Sequence, residues 1–193
     1  MFIDYVALML VNLVAGFLLL ALNFAKYLEK DPKALVPGFL VVGFVATITG
    51  LGMIFTWPLP GSYNVPFGEL SVLFGVLFLG AGIALVKEWN LIALGVYAVL
   101  AGAAAVIVGV RILNLKMTNE PALSGLGFIL SGLSGFMTLP VYVYKKNKAV
   151  RIIAIAILLA AAAIWAFTGY ASYWAHLQSF GKWAPPAMQA APK

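Results

Sequence analysis

Three side chains with titratable or amide groups stand within or at the edge of long apolar runs: Asp4, Asn12 and Glu69. Placing an ionisable group in hydrocarbon costs several kcal/mol, so such residues mark solute paths, proton relays or buried pairs. Asp4 and Glu69 each fall in the first turn of an apolar run. A carboxylate there also gains from the helix macrodipole, and Glu69 follows Asn64 and Pro66, residues suited to starting a helix. The two carboxylates therefore read either as helix-start charges or as the mouth of a vestibule for a solute or proton. Arg111, near the same membrane face, offers Glu69 an ion-pair partner. Asn12 is deeper. With Tyr5, Gly16 and Asn23 it shares a narrow helical stripe, about 15 Å from the start of its run. An amide at that depth needs a hydrogen-bond partner. Thr47, Thr49, Ser131 and Ser134 lie at similar depth, and a permeating solute is the other option.

A nucleophile is harder to assemble. The GLSG at 132–135 resembles the GxSG stretch around the serine of rhomboid intramembrane proteases, and His176 is the sole histidine. Ser134 is ten residues from its end of the fifth run, about 15 Å deep, whereas His176 lies beyond the opposite surface. A serine and its base must be within hydrogen-bond reach, and these two are on the order of 20 Å apart in depth. The chain has no cysteine, which removes iron–sulfur clusters, thiolate zinc sites and disulfides. One histidine cannot supply a two-histidine haem. No catalytic set, metal site or cofactor is expected.

The elements that carry these residues follow from composition. Of 193 residues, 64% are hydrophobic and 9% charged, with a mean hydropathy of +1.04. Soluble domains carry about 45–50% apolar and about 25% charged residues, and a water-soluble sphere of this size cannot hide the excess. The excess must face lipid. A soluble enzyme, a nucleic-acid-binding domain and a disordered chain are all excluded. A bilayer core about 30 Å thick takes about 20 apolar residues in a helix. Six such runs are predicted, at 2–24, 35–57, 67–86, 90–110, 122–144 and 150–174, leaving 175–193 as a short tail. The first run lacks a basic leader and is too long for a signal-peptide core, so it reads as a retained anchor.

Lysine and arginine set the expected orientation. Lys26, Lys30, Lys33, Lys87, Lys145, Lys146, Lys148 and Arg151 flank one membrane face, eight in all. Arg111, Lys116, Lys182 and Lys193 flank the other, four in all. The bias predicts a multi-pass protein of the cell membrane with both termini and the loop at 57–66 (WPLPGSYNVP) extracytoplasmic.

Small residues are placed for close packing. Gly95, Ala98, Gly102, Ala105 and Gly109 recur at alternating spacings of three and four, and Gly127, Ser131 and Gly135 at four. In lipid, helices associate through such close approach. The seams predict packing inside one bundle, or an interface between copies. GLGMIFTWP at 50–58 and GLSGFMTLP at 132–140 match at an offset of 82. That offset would relate two inverted three-helix repeats, a plan that places a substrate path between halves.

The opening FIDYVALMLVNLVAGFLLLA and the stretch WPLPGSYNVPFGE resemble a family of predicted archaeal and bacterial integral-membrane proteins known only as a domain of unknown function. That resemblance implies six-helix membrane embedding and no activity. More remotely, the length, the six spans and the first-loop DPK are similar to the six-helix urea and amide channels. The expected fold is an all-α integral membrane bundle of six transmembrane helices. The favoured function is a small passive channel or facilitator for a small, mostly neutral solute, with Asp4, Asn12 and Glu69 on its path. The alternative is a non-catalytic subunit or scaffold of a larger membrane complex. The expected partners are the lipid bilayer and either further copies or other membrane subunits, with no nucleic acid.

Overall fold

Uninterrupted apolar sequence becomes helix here because a backbone in lipid must satisfy its own hydrogen bonds. The structure, a computed structural model, describes residues 4–28, 30 and 32–179. Its six long helices are α1 (Tyr5–Leu22), α2 (Val36–Thr56), α3 (Leu70–Val86), α4 (Ile92–Leu115), α5 (Pro121–Val143) and α6 (Lys148–Gln178). All six, α3 taken together with the turns that lead into it from Gly61, are long and apolar enough to cross a membrane. The chain is a multi-pass, all-α membrane protein.

Local chemistry sets the ends. Asn90 accepts from the Ile92 amide at 2.9 Å, and Asn147 accepts from Ala149 and Val150 at 3.0 and 3.2 Å, opening α4 and α6. Pro121 stands at the start of α5, where its missing N–H costs nothing. Trp57 and Lys116 close α2 and α4 in left-handed conformations, φ 45° and 50°. Two boundaries differ from expectation. Helix α4 continues past 110 to Leu115, so Arg111 stands on a helix rather than in a loop; its long side chain lets the helix run on into the headgroup region. Helix α6 reaches Gln178, past 174. The rest of the expected tail, with Lys182 and Lys193, lies outside the described residues.

The helices form a ring. Each packs mainly on its neighbours in chain order, and α6 closes the ring on α1. The outer surface is apolar: Phe44, Phe55, Leu100, Ile107 and Ile152 are all exposed. Exposed Trp57, Tyr170 and Trp174 gather toward one end, which also bears the 57–66 loop (the loop end). Exposed Trp89 and Tyr144 gather toward the other, the lysine end. Paired aromatic belts of this kind mark the two interfaces of a bilayer.

Two glycine-lined pairs stiffen the ring. All five residues of the predicted α4 seam are buried, and Gly95, Ala98, Gly102 and Gly109 pack within the bundle against α5. A Cβ on Gly102 would come within 2.5 Å of the Gly132 carbonyl oxygen, one on Gly109 within 2.7 Å of that of Gly125, and one on Gly135 within 2.5 Å of that of Ala98. Helix α2 meets α3 and the turn that leads into it likewise, Gly50 on the Gly68 carbonyl and Gly43 on that of Gly75. The matched segments of the suspected repeat do not occupy matching neighbourhoods. Gly50 faces α3, so an exact repeat would turn Gly132 toward α6; Gly132 faces Gly102 and Val106 of α4. The packing does not show the inverted repeat.

Candidate functional site

The inside of the ring is packed with apolar side chains, and cavities among and beside them share lining residues with one another. At the loop end, Asn64 is fully buried and clasps Leu59, accepting from its amide at 3.0 Å and donating to its carbonyl at 2.6 Å. Tyr63 donates to the Met117 carbonyl, tying this loop to the one before α5. A π-turn, Val65–Glu69, then leads into α3 and turns Phe67 inward. Such turns recur at functional sites. Together these segments shape a vestibule of about 390 Å³ with an adjoining recess of about 280 Å³.

Below the vestibule lies an upper chamber of about 30 Å³, walled by α1, α2, α3, α5 and α6. Leu10, Phe67 and Trp165 belong to both spaces. A lower chamber of about 60 Å³ follows, walled by α1 to α5; Phe74, Phe78 and Ser131 divide it from the upper one. Gly16 of α1 makes room for this divide, since a Cβ there would fall 2.6 Å from Phe78 Cζ. Leu91 and Tyr142 separate the lower chamber from a basin of about 610 Å³ at the lysine end. A second π-turn, Asn23–Tyr27, borders that basin. Asn23 and Tyr142 are both buried there, and the Asn23 amide donates to the Tyr142 hydroxyl at 3.3 Å.

The predicted residues scatter along this axis. Asn12 lines the upper chamber, and its Nδ2 donates to the Val42 carbonyl at 2.9 Å. The hydroxyls expected to meet it are otherwise placed. Thr49, Ser131 and Ser134 bond carbonyls of their own helices, and buried Thr47 Oγ1 has no hydrogen-bond partner among the described residues. Asp4 pairs with His176 Nδ1 at 2.6 Å, joining the start of α1 to the last turn of α6; His176 also lines the vestibule. Glu69 is exposed, lines neither vestibule nor chamber, and makes no ion pair with Arg111, which is also exposed. Ser134 lines the lower chamber, far from His176 at the vestibule.

Two features, one buried and one half-buried, were not foreseen. Trp165 is 1% exposed and donates its indole N–H to Ser131 Oγ at 2.9 Å; its ring crosses that of Phe128 at 5.1 Å and 76°. Arg151 donates to the carbonyls of Phe24 and Ala25 at 2.8 and 2.9 Å, at the carbonyl-rich end of the first span, where a cation is favoured. The available signal for the first was the Gly127–Ser131 spacing, opposite the one tryptophan in the middle of a span. For the second it was an arginine just inside an apolar run.

The chemistry of the axis is that of uncharged hydrogen bonding. Among the described residues no charged side chain lines either chamber. The polar side chains there are Asn12 and Ser71 above, Ser131 and the Trp165 indole N–H already bonded to each other, and Ser134, Thr138 and Tyr142 below. No group of three or more metal-ligating side chains occurs among the described residues.

A family model described as a protein of unknown function (DUF981) matches residues 1–179. No curated protein and no solved structure matches the chain.

Proposed function

The chain belongs to the DUF981 family of proteins of unknown function, and we propose that it is a passive facilitator passing a small neutral solute along the ring axis. One observation carries this reading: vestibule, two chambers and basin follow one another from the loop end to the lysine end, each sharing walls with the next. A water needs about 10–15 Å³ of such space, so the chambers suit a solute of a few heavy atoms. An ion would exchange its hydration for apolar walls and a few dipoles, which is costly. A neutral solute would exchange hydrogen bonds with the Asn12 amide oxygen and Ser71, then with Ser134, Thr138 and Tyr142. The aromatic divides must rotate aside for each passage. Asp4, through His176, would shape the rim. Glu69 falls outside the path. The lysine and arginine bias favours a loop end that faces outward.

The test is stopped-flow light scattering on liposomes loaded with the purified protein and challenged with water, formamide and urea. Loaded vesicles are expected to exchange at least one of these faster than empty ones. Asn12→Leu should slow that exchange, and Glu69→Gln should leave it alone. Equal rates for loaded and empty vesicles across the panel would reject the facilitator and leave a non-catalytic membrane subunit as the reading.

A further inference from the structure

Resting on that path, we propose that Trp165 is its size filter at the loop end and that Ser131 holds the filter in place. Trp165 is packed almost completely, at 1% exposed, yet it belongs to the walls of both the vestibule and the upper chamber, a position shared only by Leu10 and Phe67. Its ring is held from three directions. Phe128 abuts it edge-on. Gly127 lies beneath it, so close that a Cβ would stand 2.7 Å from Trp165 Cζ2. The indole N–H, a donor with no acceptor capacity, is satisfied by Ser131 Oγ.

Ser131 is itself 1% exposed and passes its own hydrogen to the Gly127 carbonyl at 2.8 Å. Its oxygen is thereby oriented to accept from the indole. Ser131 also belongs to the wall between the two chambers, so the bond anchors the filter to the most enclosed part of the ring. With the indole in place beside Leu10 and Phe67, the 390 Å³ vestibule and the 30 Å³ chamber are separate spaces. The side chain at 165, and how firmly it is held, sets the largest solute that passes.

The chain has no cysteine, which allows a test that does not depend on transport. Ser71 lines the upper chamber and makes no hydrogen bond among the described residues, so Ser71→Cys places a thiol behind the filter with little disturbance. In purified protein that thiol should react slowly with a small methanethiosulfonate. Adding Ser131→Ala, which strands the buried indole N–H, should raise the rate by about tenfold or more, and Trp165→Phe, which removes the donor and leaves a smaller, untethered ring, should raise it as well. Trp165→Ala should raise it further, and should let glycerol cross liposomes that otherwise exclude it. The lipid-facing change Leu100→Ile serves as the control. Faster thiol reaction without solute flux would support the filter while rejecting the facilitator for that panel. Flux with an unchanged thiol rate and size limit in the folded Ser131→Ala and Trp165→Phe variants would overturn the filter and leave the facilitator standing.

Discussion

At the scale of single residues, the buried polar groups differ in what their loss would leave behind. Asn12 donates to a carbonyl in mid-helix α2, which keeps its own helical bond when the amide is gone. Trp165 has one donor and one acceptor for it. Removing a partner so that a buried donor is stranded costs about 1–3 kcal/mol, more than the net worth of an ordinary hydrogen bond, and interhelical bonds in membranes average well under 1 kcal/mol by double-mutant cycles. Ser131→Ala should therefore destabilise the protein more than Asn12→Leu, as read from melting in detergent. The reverse order would mean that the indole finds another acceptor. Asn12 was legible in the sequence as a polar group needing a partner. Its actual partner was not, because backbone carbonyls are present at every position and leave no mark in residue type.

Among elements, the α4–α5 pair is held by backbone against backbone. A Cβ on Gly132 would meet the Gly102 oxygen at 2.4 Å, and a backbone cannot turn aside as a side chain can. Gly132→Ala should cost about 1–3 kcal/mol through forced separation of the helices and lower the melting temperature. Gly38→Ala makes a sharp comparison, since its Cβ would meet only the flexible end of Leu19, at 2.7 Å. There the gain in helix propensity, about 1 kcal/mol, should offset the contact, and the melting temperature should hold or rise. An unchanged melting temperature for Gly132→Ala would show that α4 and α5 are free to separate. Lys116 ends α4 at φ 50°, a left-handed conformation that costs a side chain roughly 1–2 kcal/mol and glycine almost nothing. Lys116→Gly should stabilise the protein slightly in the same assay. The small-residue seam of α4 was plain in the sequence because its period is helical. That its partner is α5 and not α3, its other neighbour in the ring, was decided by the contacts of Gly95, Gly102 and Gly109 with α5.

For the whole molecule, orientation is the property that gives the axis a direction. Single cysteines at Ser62 and Lys146, both exposed at opposite ends, report on it against a cysteine-free background. An impermeant thiol reagent applied to intact cells should label Ser62→Cys and spare Lys146→Cys. The opposite pattern would invert the proposed direction while leaving the ring and its cavities as described. The asymmetry of those cavities makes the direction matter. The loop-end vestibule is shaped by a clasped proline-rich loop and a π-turn, and the wider basin is bordered by Lys30, Lys33 and Lys145.

What the sequence determined alone is what lipid imposes: six spans, their approximate limits, and residues small enough for close contact. Solvation acts on each segment separately, so hydropathy and spacing report it without knowledge of neighbours. Tertiary structure alone decided that the spans close into a ring, that Asp4 reaches His176 across 172 positions, and that Glu69 faces away from the axis. It also decided that Ser131 meets Trp165 across 34. These depend on which way each helix is rotated. In spans that are apolar all round, no polar face fixes that rotation. It is set instead by the shapes of opposing surfaces, where a glycine admits a carbonyl and the carbonyl's helix then turns everything else it carries.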